Sequence, residues 1–505
     1  MDVDALGHRS LDTMRLRIAA RMLILVALAA CHPNGDKDGR PGNPSKEAVV
    51  PTITPAAEVP TVLHVSWSTQ ASGSSWVEYG LEALDQQTPT TGTGTDHAVA
   101  VLGLKAGRTY SLRAVTEMDG ERIESEVQTV DIAQIPDWYG HFEISQYDPS
   151  RAEMTDGYLL VGISTAVGGE FSGVGSAVGI IDADGDYVWF VDMPPAVGNL
   201  SPSVTSTGIL WDEYDSYVAD DKGTAGQLDI TGHGPIVRTR LEEGHHVVIE
   251  TEPGTLAFVA RDIQTVQVNE EDVVIQTDRL RDISVGSEAP PREIFGLFDQ
   301  LKDDYHWPCV HTVTPWERTD YPEVFEWTHG NSLIYEDGAL FFYTRWTDTL
   351  YKVDPISGEL LWQIGGPNSD FTRPNGDPAW TDVDDSVWSH AHLSQVWDGG
   401  LMMFDNGNHH VPNISSIVEY RFDEELQTIE EVFRFNDPLS RVMGAVGDAR
   451  KLPGGNYMGS WTTWGQLTEV APDGEVVWRA THAKDYMVVR VRYIPDLYAL
   501  AAAQE

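Results

Sequence analysis

Three histidines stand at nearly the same distance ahead of three glycine turns. His246 lies eight residues before Gly254, His329 nine before Gly338 and His392 seven before Gly399. Seven residues after such turns stand Arg261 (after Gly254), Arg345 (after Gly338), Asn406 (after Gly399) and Trp461 (after Gly454). If each glycine closes a hairpin, Arg345 returns beside His329 and Asn406 beside His392. Asn331 follows His329 by two, which places both on one face of a strand with side-chain period two. The constellation is His246, His329, His392, Asn331 and Arg345, with Arg261, Asn406 and Trp461 as further ligand-holding candidates. Clustered neutral imidazoles serve either a metal such as Zn or Fe or an anion attacked by a histidine nucleophile. Arg345 favours the anion, since a fixed cation costs Coulomb energy beside a metal and gains it beside an oxyanion. Neither a metal nor another cofactor is therefore expected. Each member also has a plainer reading. A strand-end histidine is usually structural, Arg345 can pair with Asp348, and Trp461 can simply pack, although an aromatic ligand could stack on it. His245, His409 and His410 show how common histidines are in this chain. Three at one repeat position outweigh those readings.

The elements that must position these residues form a repeat beginning near Pro136. One half is a Gly four residues before an aromatic: Gly185 to Trp189, Gly358 to Trp362 and Gly474 to Trp478, with degenerate copies near Arg238, Phe295 and Phe433. The other half is a Gly turn entering an apolar strand, at Gly157, Gly208, Gly254, Gly338, Gly399 and Gly454. The halves alternate six times. In the clearest unit, Asn331 to Tyr335, Ala339 to Thr344, Thr349 to Val353 and Glu359 to Ile364 read as four successive strands. Four antiparallel strands repeated six times predict an all-β, six-bladed β-propeller over 135–494. The first strand of each blade lines the axis, so the three histidines are expected to meet at one mouth of the channel. The 16 Trp suit the wedges between blades.

Upstream, 58–134 alternates apolar and polar residues between turns, as a small β-sandwich should. Leu104 to Ala114, with Tyr110 inside it, resembles the tyrosine-corner strand of fibronectin type III domains. A spacer role is the default for it. Residues 31–57, rich in Pro, Gly, Asn, Asp and Lys, read as a flexible tether, and 495–505 as a C-terminal tail. Arg15, Arg17 and Arg21 precede the nine apolar residues Met22 to Ala30. That run is too short to span a bilayer, which needs about 20 residues, but it fits a secretory signal over 1–30. Leu28-Ala29-Ala30-Cys31 is similar to the bacterial lipobox, which implies lipidation of Cys31 and a cell-envelope location. His32 stands where inner-membrane retention uses Asp, so the outer membrane is expected. Two cysteines in 505 residues form no disulfide framework. With Cys31 lipidated, Cys309 is left alone. The formal charge is 33 − 78 = −45, which excludes nucleic acid and anionic lipid surfaces as partners. Whole-chain acidity does not exclude a small anionic ester at a locally basic channel mouth.

Trp327-Thr328-His329-Gly330-Asn331-Ser332, Thr344-Arg345 and Tyr351 to Pro355 through Trp362 resemble the bacterial arylsulfotransferases, which need no nucleotide sulfate donor. Ser389-His390-Ala391-His392-Leu393 with Phe404 to Asn408 resembles their nucleophile segment, and Gly244-His245-His246 their double-His segment. The resemblance covers roughly 136–494. It implies a six-bladed propeller behind a β-sandwich. It also implies ping-pong transfer of a sulfuryl group from a phenolic sulfate donor to a phenol acceptor. His392 would form a sulfohistidine, with His246, His329, Asn331 and Arg345 around it. His390 competes for the nucleophile role, but the repeat position favours His392. Val247 and Leu393 stand where the family usually has an acid, so a carboxylate that orients an imidazole must come from elsewhere or be missing. Unpaired Cys309 also departs from members with a disulfide. Two other function classes stay open at this point: a metal-dependent propeller hydrolase or oxygenase, and a non-catalytic envelope binding propeller.

Overall fold

A computed structural model describes residues 49–165, 176–191, 201–213, 223–268, 270–301, 324–382, 384–439, 442–484 and 486–504. The signal and lipidation readings at 1–30 and Cys31, and Cys309, lie outside these residues.

Six sheets, each built on four antiparallel strands, follow one another along the chain from residue 142, as the repeat predicts; the third adds the short parallel strand Phe325–Glu326. Their inner strands are Met487–Ile494, Ser203–Thr205, Gly244–Glu252, Gly330–Glu336, His392–Trp397 and Asp448–Lys451 for blades one to six, and neighbours touch around a closed ring. Closure uses both ends of the domain. The late strand Met487–Ile494 pairs with Tyr158–Ser164 and becomes the inner strand of blade one, while Phe142–Tyr147 pairs with Val476–His482 as the outer strand of blade six. A sheet wrapped this way leaves few exposed edges.

The repeating tryptophans have a double function. Trp189 and Trp478 are buried, and each indole N–H donates to a backbone carbonyl of the next blade, Ile230 O at 2.9 Å and Ala183 O at 2.8 Å. Trp362 of blade four packs on Phe422 of blade five with ring centroids 5.7 Å apart. Large rings fill the wedge between diverging sheets, and truncating one typically costs about 3–5 kcal/mol.

The first module is all-β, built around the 18-residue strand Leu63–Gly80. Its first half pairs with Gly94–Val101 and its second with Thr109–Met118. The Tyr110 hydroxyl accepts the Lys105 N–H at 3.1 Å, the contact expected of a corner tyrosine. Two expected boundaries shift. Order begins before residue 58, because Thr52–Pro55 adds an edge strand to Leu63–Gly80 and Ala56 and Val59 are buried. The C-terminal tail is a helix, Leu497–Gln504. Its Leu497 is buried against the propeller, and its Tyr498 hydroxyl accepts the Leu102 N–H of the sandwich at 3.0 Å.

Candidate active site

Each inner strand associated with a predicted histidine is broken at that histidine or within two residues of it. Register shifts fall between Gly244 and Val248, between Gly330 and Ser332, and between Leu393 and Gln395. Bulges of this kind re-aim side chains out of the ladder. His246 and His329 also hold left-handed backbone, φ 60° and 56°. Such a conformation costs a non-glycine residue about 1–3 kcal/mol and persists where its surroundings over-determine it. Here Ser201 Oγ donates to His246 O at 2.9 Å, and the Arg345 N–H to His329 O at 3.0 Å. The hairpin expectation for Arg345 and His329 therefore holds at the backbone. The period-two relation of His329 and Asn331 does not. His329 precedes the strand Gly330–Glu336 and Asn331 sits in its bulge. Gly330 cannot be replaced there, since a Cβ would lie 2.6 Å from the Phe342 ring.

His392 opens its strand and is buried. Asn406 sits beside it, as the turn spacing predicts. The Asn406 amide nitrogen donates to Met443 O and Val446 O, both at 2.8 Å, which turns its oxygen onto His392 Nδ1 at 2.8 Å. That oxygen can only accept, so Nδ1 carries the ring proton and Nε2 the lone pair. Burial pushes the His392 pKa well below the ordinary imidazole value, and the Arg490 and Arg345 guanidiniums push it further, against the Asn406 hydrogen bond. His392 is thus held neutral with its lone pair on Nε2.

Around it, Asn331 Nδ2 donates to Ala391 O at 2.9 Å, pinning the residue before His392, while its Oδ1 accepts from Ser332 Oγ. Arg345 lies over Trp346, Cζ 4.2 Å from the ring centroid, and its guanidinium donates to Gly444 O. The His246 and His329 rings meet edge to face at 4.6 Å. Burial, then the charges of His329, His245, Arg261 and His392, keep the His246 pKa well below the usual range. Those mutual influences place His246, His329, His392 and Arg345 in one neighbourhood. Arg261 is half-buried in the strand Thr255–Val268 at the double-His bulge, its N–H on Glu243 O at 2.9 Å.

One expectation changes. Trp461 is fully buried between Phe404 and Phe435, at 5.7 and 6.0 Å, inside the core shared by blades five and six. It is packing and offers no face to a ligand. Asp348 Oδ1 accepts the His390 N–H at 2.6 Å and the Tyr343 hydroxyl at 3.0 Å, and the Arg345 charge acts on the same carboxyl. Burial pushes that carboxyl up to about 8, against these two hydrogen bonds. His390 is fully buried, its ring edge-on to Trp346 at 5.0 Å.

Three residues at the site lie outside what the sequence indicates. Glu326 Oε2 lies 2.7 Å from His329 Nδ1 and accepts the Trp346 indole N–H at 2.9 Å. Burial pushes its carboxyl up, but His329 and that indole hold it below the usual range. Asp278 Oδ1 lies 2.9 Å from His245 Nε2, and His245 Nδ1 lies 2.6 Å from His246 Nδ1. A carboxylate thus reaches His245 from two strands across the sheet and His329 from three residues upstream, whereas the His392 imidazole is oriented by the Asn406 amide. Arg490, on the ring-closing strand, donates to Asn331 O at 2.6 Å, Ser332 Oγ at 3.2 Å and Leu393 O at 3.3 Å, bracing the two strands that carry Asn331 and His392.

Among the described residues, the grouping spaced to hold a cation is Asp182, Asp184 and Asp186 in blade one. Lys105 Nζ already lies 2.7 to 3.0 Å from an oxygen of each.

The arylsulfotransferase (ASST) family model matches residues 159–488. No curated protein matches the chain. Solved structures similar to it include a protein of unknown function from Bacteroides caccae, at 14% identity over 67% of this chain and 99% of that one, TM-score 0.36. A catalytically inactive virginiamycin B lyase from Staphylococcus aureus with quinupristin is similar at 13% identity over 70% and 99%, TM-score 0.33.

Proposed function

The chain belongs to the arylsulfotransferase family, and from that premise we propose that it moves a sulfuryl group from a phenolic sulfate ester to a phenol in two steps through a sulfohistidine at His392. Family membership supports aryl sulfotransferase activity in general. The observation that carries the finer reading is the His392–Asn406 hydrogen bond, whose amide has only one orientation and therefore leaves Nε2 as a neutral nucleophile within reach of the Arg345 charge.

In the first step Nε2 attacks sulfur, the sulfur–oxygen bond breaks and the electron pair leaves on the aryl oxygen. In the second, a phenol oxygen attacks the sulfur, its proton passes to a neighbouring base and the His392 Nε2–sulfur bond breaks. Charge spreads over the peripheral oxygens in both, so positioning and a fixed cation supply most of the catalysis, as in phosphoryl transfer. Arg345 supplies the cation and, with Asn331, orients the group; a half-buried Arg261 adds positive charge at the mouth. Purified protein given 4-nitrophenyl sulfate is expected to release nitrophenol continuously only when a phenol is added. Release at the same rate without phenol, or none with it, would refute the proposal.

The location proposed for it is the bacterial cell envelope, lipid-anchored through Cys31, with the sandwich as a fibronectin type III-like spacer. Among the described residues no helix is long and apolar enough to cross a membrane. Expression in a bacterium fed labelled palmitate should label the wild type and not Cys31→Ser; equal labelling would exclude this anchor.

A further inference from the structure

Resting on that reading, we propose that Asp278 and His245 form a relay that fixes the His246 proton on Nδ1 and makes its Nε2 the base that deprotonates the acceptor phenol. Proton placement follows from the end of the chain inward. Asp278 Oδ2 already accepts the Gly330 N–H at 2.6 Å and the Thr328 hydroxyl. Its Oδ1 lies 2.9 Å from His245 Nε2, a charge contact rather than an aligned hydrogen bond, and at that distance a carboxylate oxygen favours a proton over a second lone pair on the facing nitrogen. His245 therefore carries its proton on Nε2 and the lone pair on Nδ1. The 2.6 Å contact between His245 Nδ1 and His246 Nδ1 then needs a proton from the His246 side. His246 is left with its lone pair on Nε2, beside the His329 ring. When Nε2 takes the acceptor's proton, the new positive charge is shared toward His245 and compensated by Asp278.

The arrangement assigns work by half-reaction. A resting His246 with a lone pair on Nε2 can take a proton and has none on that atom to give. It therefore serves the second step, in which the phenol O–H breaks as oxygen attacks the sulfur on His392. The first step, with a good leaving group such as nitrophenolate, needs no proton from it. His245 and Asp278 touch no reacting atom; both are positioning residues that act through His246.

Two substitutions test this. Asp278→Asn keeps an acceptor oxygen for Gly330 and Thr328 but turns an N–H toward His245, which inverts both tautomers and puts a proton on His246 Nε2. His245→Gln removes the imidazole that accepts from His246. In rapid mixing with 4-nitrophenyl sulfate alone, both variants should retain the nitrophenol burst, which reports sulfurylation of His392. Turnover with phenol, whose pKa is about 10, should then fall by about 10²- to 10⁴-fold, the usual worth of a positioned base. Turnover with pentafluorophenol, already ionised at the assay pH, should fall far less. Equal slowing with both acceptors, wild-type rates with phenol, or loss of the burst in both variants overturns the relay. A wild-type protein with neither burst nor acceptor dependence instead overturns the proposed function itself.

Discussion

Replacing His392 by alanine is expected to remove sulfuryl transfer altogether, a fall of about 10⁶-fold in kcat if it acts as nucleophiles in covalent catalysis generally do. No other imidazole takes over readily. His390, two residues earlier, has its backbone tied to Asp348 and its ring against Trp346, while His246 and His329 have their Nδ1 atoms engaged by His245 and Glu326. Mass spectrometry after brief exposure to a phenolic sulfate should find sulfate on the His392 peptide of the wild type and none in the variant. Sulfate on the variant, at His390 for instance, would move the nucleophile. The pH profile carries the same test. The reaction needs neutral His392, and its pKa is depressed in the folded protein by burial, Arg490 and Arg345. Activity governed by this group is present above its folded pKa and lost as pH falls through it. The acid limb of the sulfurylation rate is therefore expected below the ordinary imidazole value of about 6.5. A limb at or above that value would mean that His392 is not held neutral by its surroundings.

Much of this arrangement is legible in one dimension because the propeller is a repeat. The glycine turns fix where each hairpin reverses, so counting seven residues past a turn places Asn406 on His392 and the Arg345 backbone on His329. The same arithmetic puts Trp461 at a matching position, and there it fails. Position in a blade determines proximity to the axis, while the side chain's size and the aromatics Phe404 and Phe435 determine that it packs inward. Bulges are the second limit. His246, His329 and Asn331 all depart from regular strand pairing, and nothing in a period-two pattern marks an extra residue. The third is closure. Counting units from residue 136 treats the first strand met as the inner one of blade one, but that place is taken by Met487–Ile494. Arg490 therefore reaches the site from the far end of the chain, bringing a guanidinium under His392 that local spacing cannot reveal. Asp278 is hidden for a related reason, since it sits in mid-strand opposite Arg261 and meets His245 only across the sheet. Glu326 is the exception: three residues before His329, it was within reach of a search for carboxylates flanking each histidine.

Arg345→Met should cost about 10²- to 10³-fold in kcat/KM if its charge stabilises developing negative charge as an oxyanion-hole donor does. Methionine keeps an unbranched stem to lie along Trp346, so the surrounding packing is the least disturbed part of the site. Arg345→Lys is expected to recover little. An ammonium restores charge but not the planar group that stacks on Trp346 and donates to Gly444 O at once. A structural role alone predicts a fall in stability with an unmoved pH profile. An electrostatic one predicts a second signature, because Arg345 is one of two guanidiniums that depress His392. Removing it raises the His392 pKa, so the acid limb moves to higher pH while the Arg490 contribution remains. A Met variant with wild-type kcat/KM, or with lowered activity and an unshifted limb, would take Arg345 out of the transfer step and leave the cation under the sulfuryl group to be sought at Arg261 or Arg490.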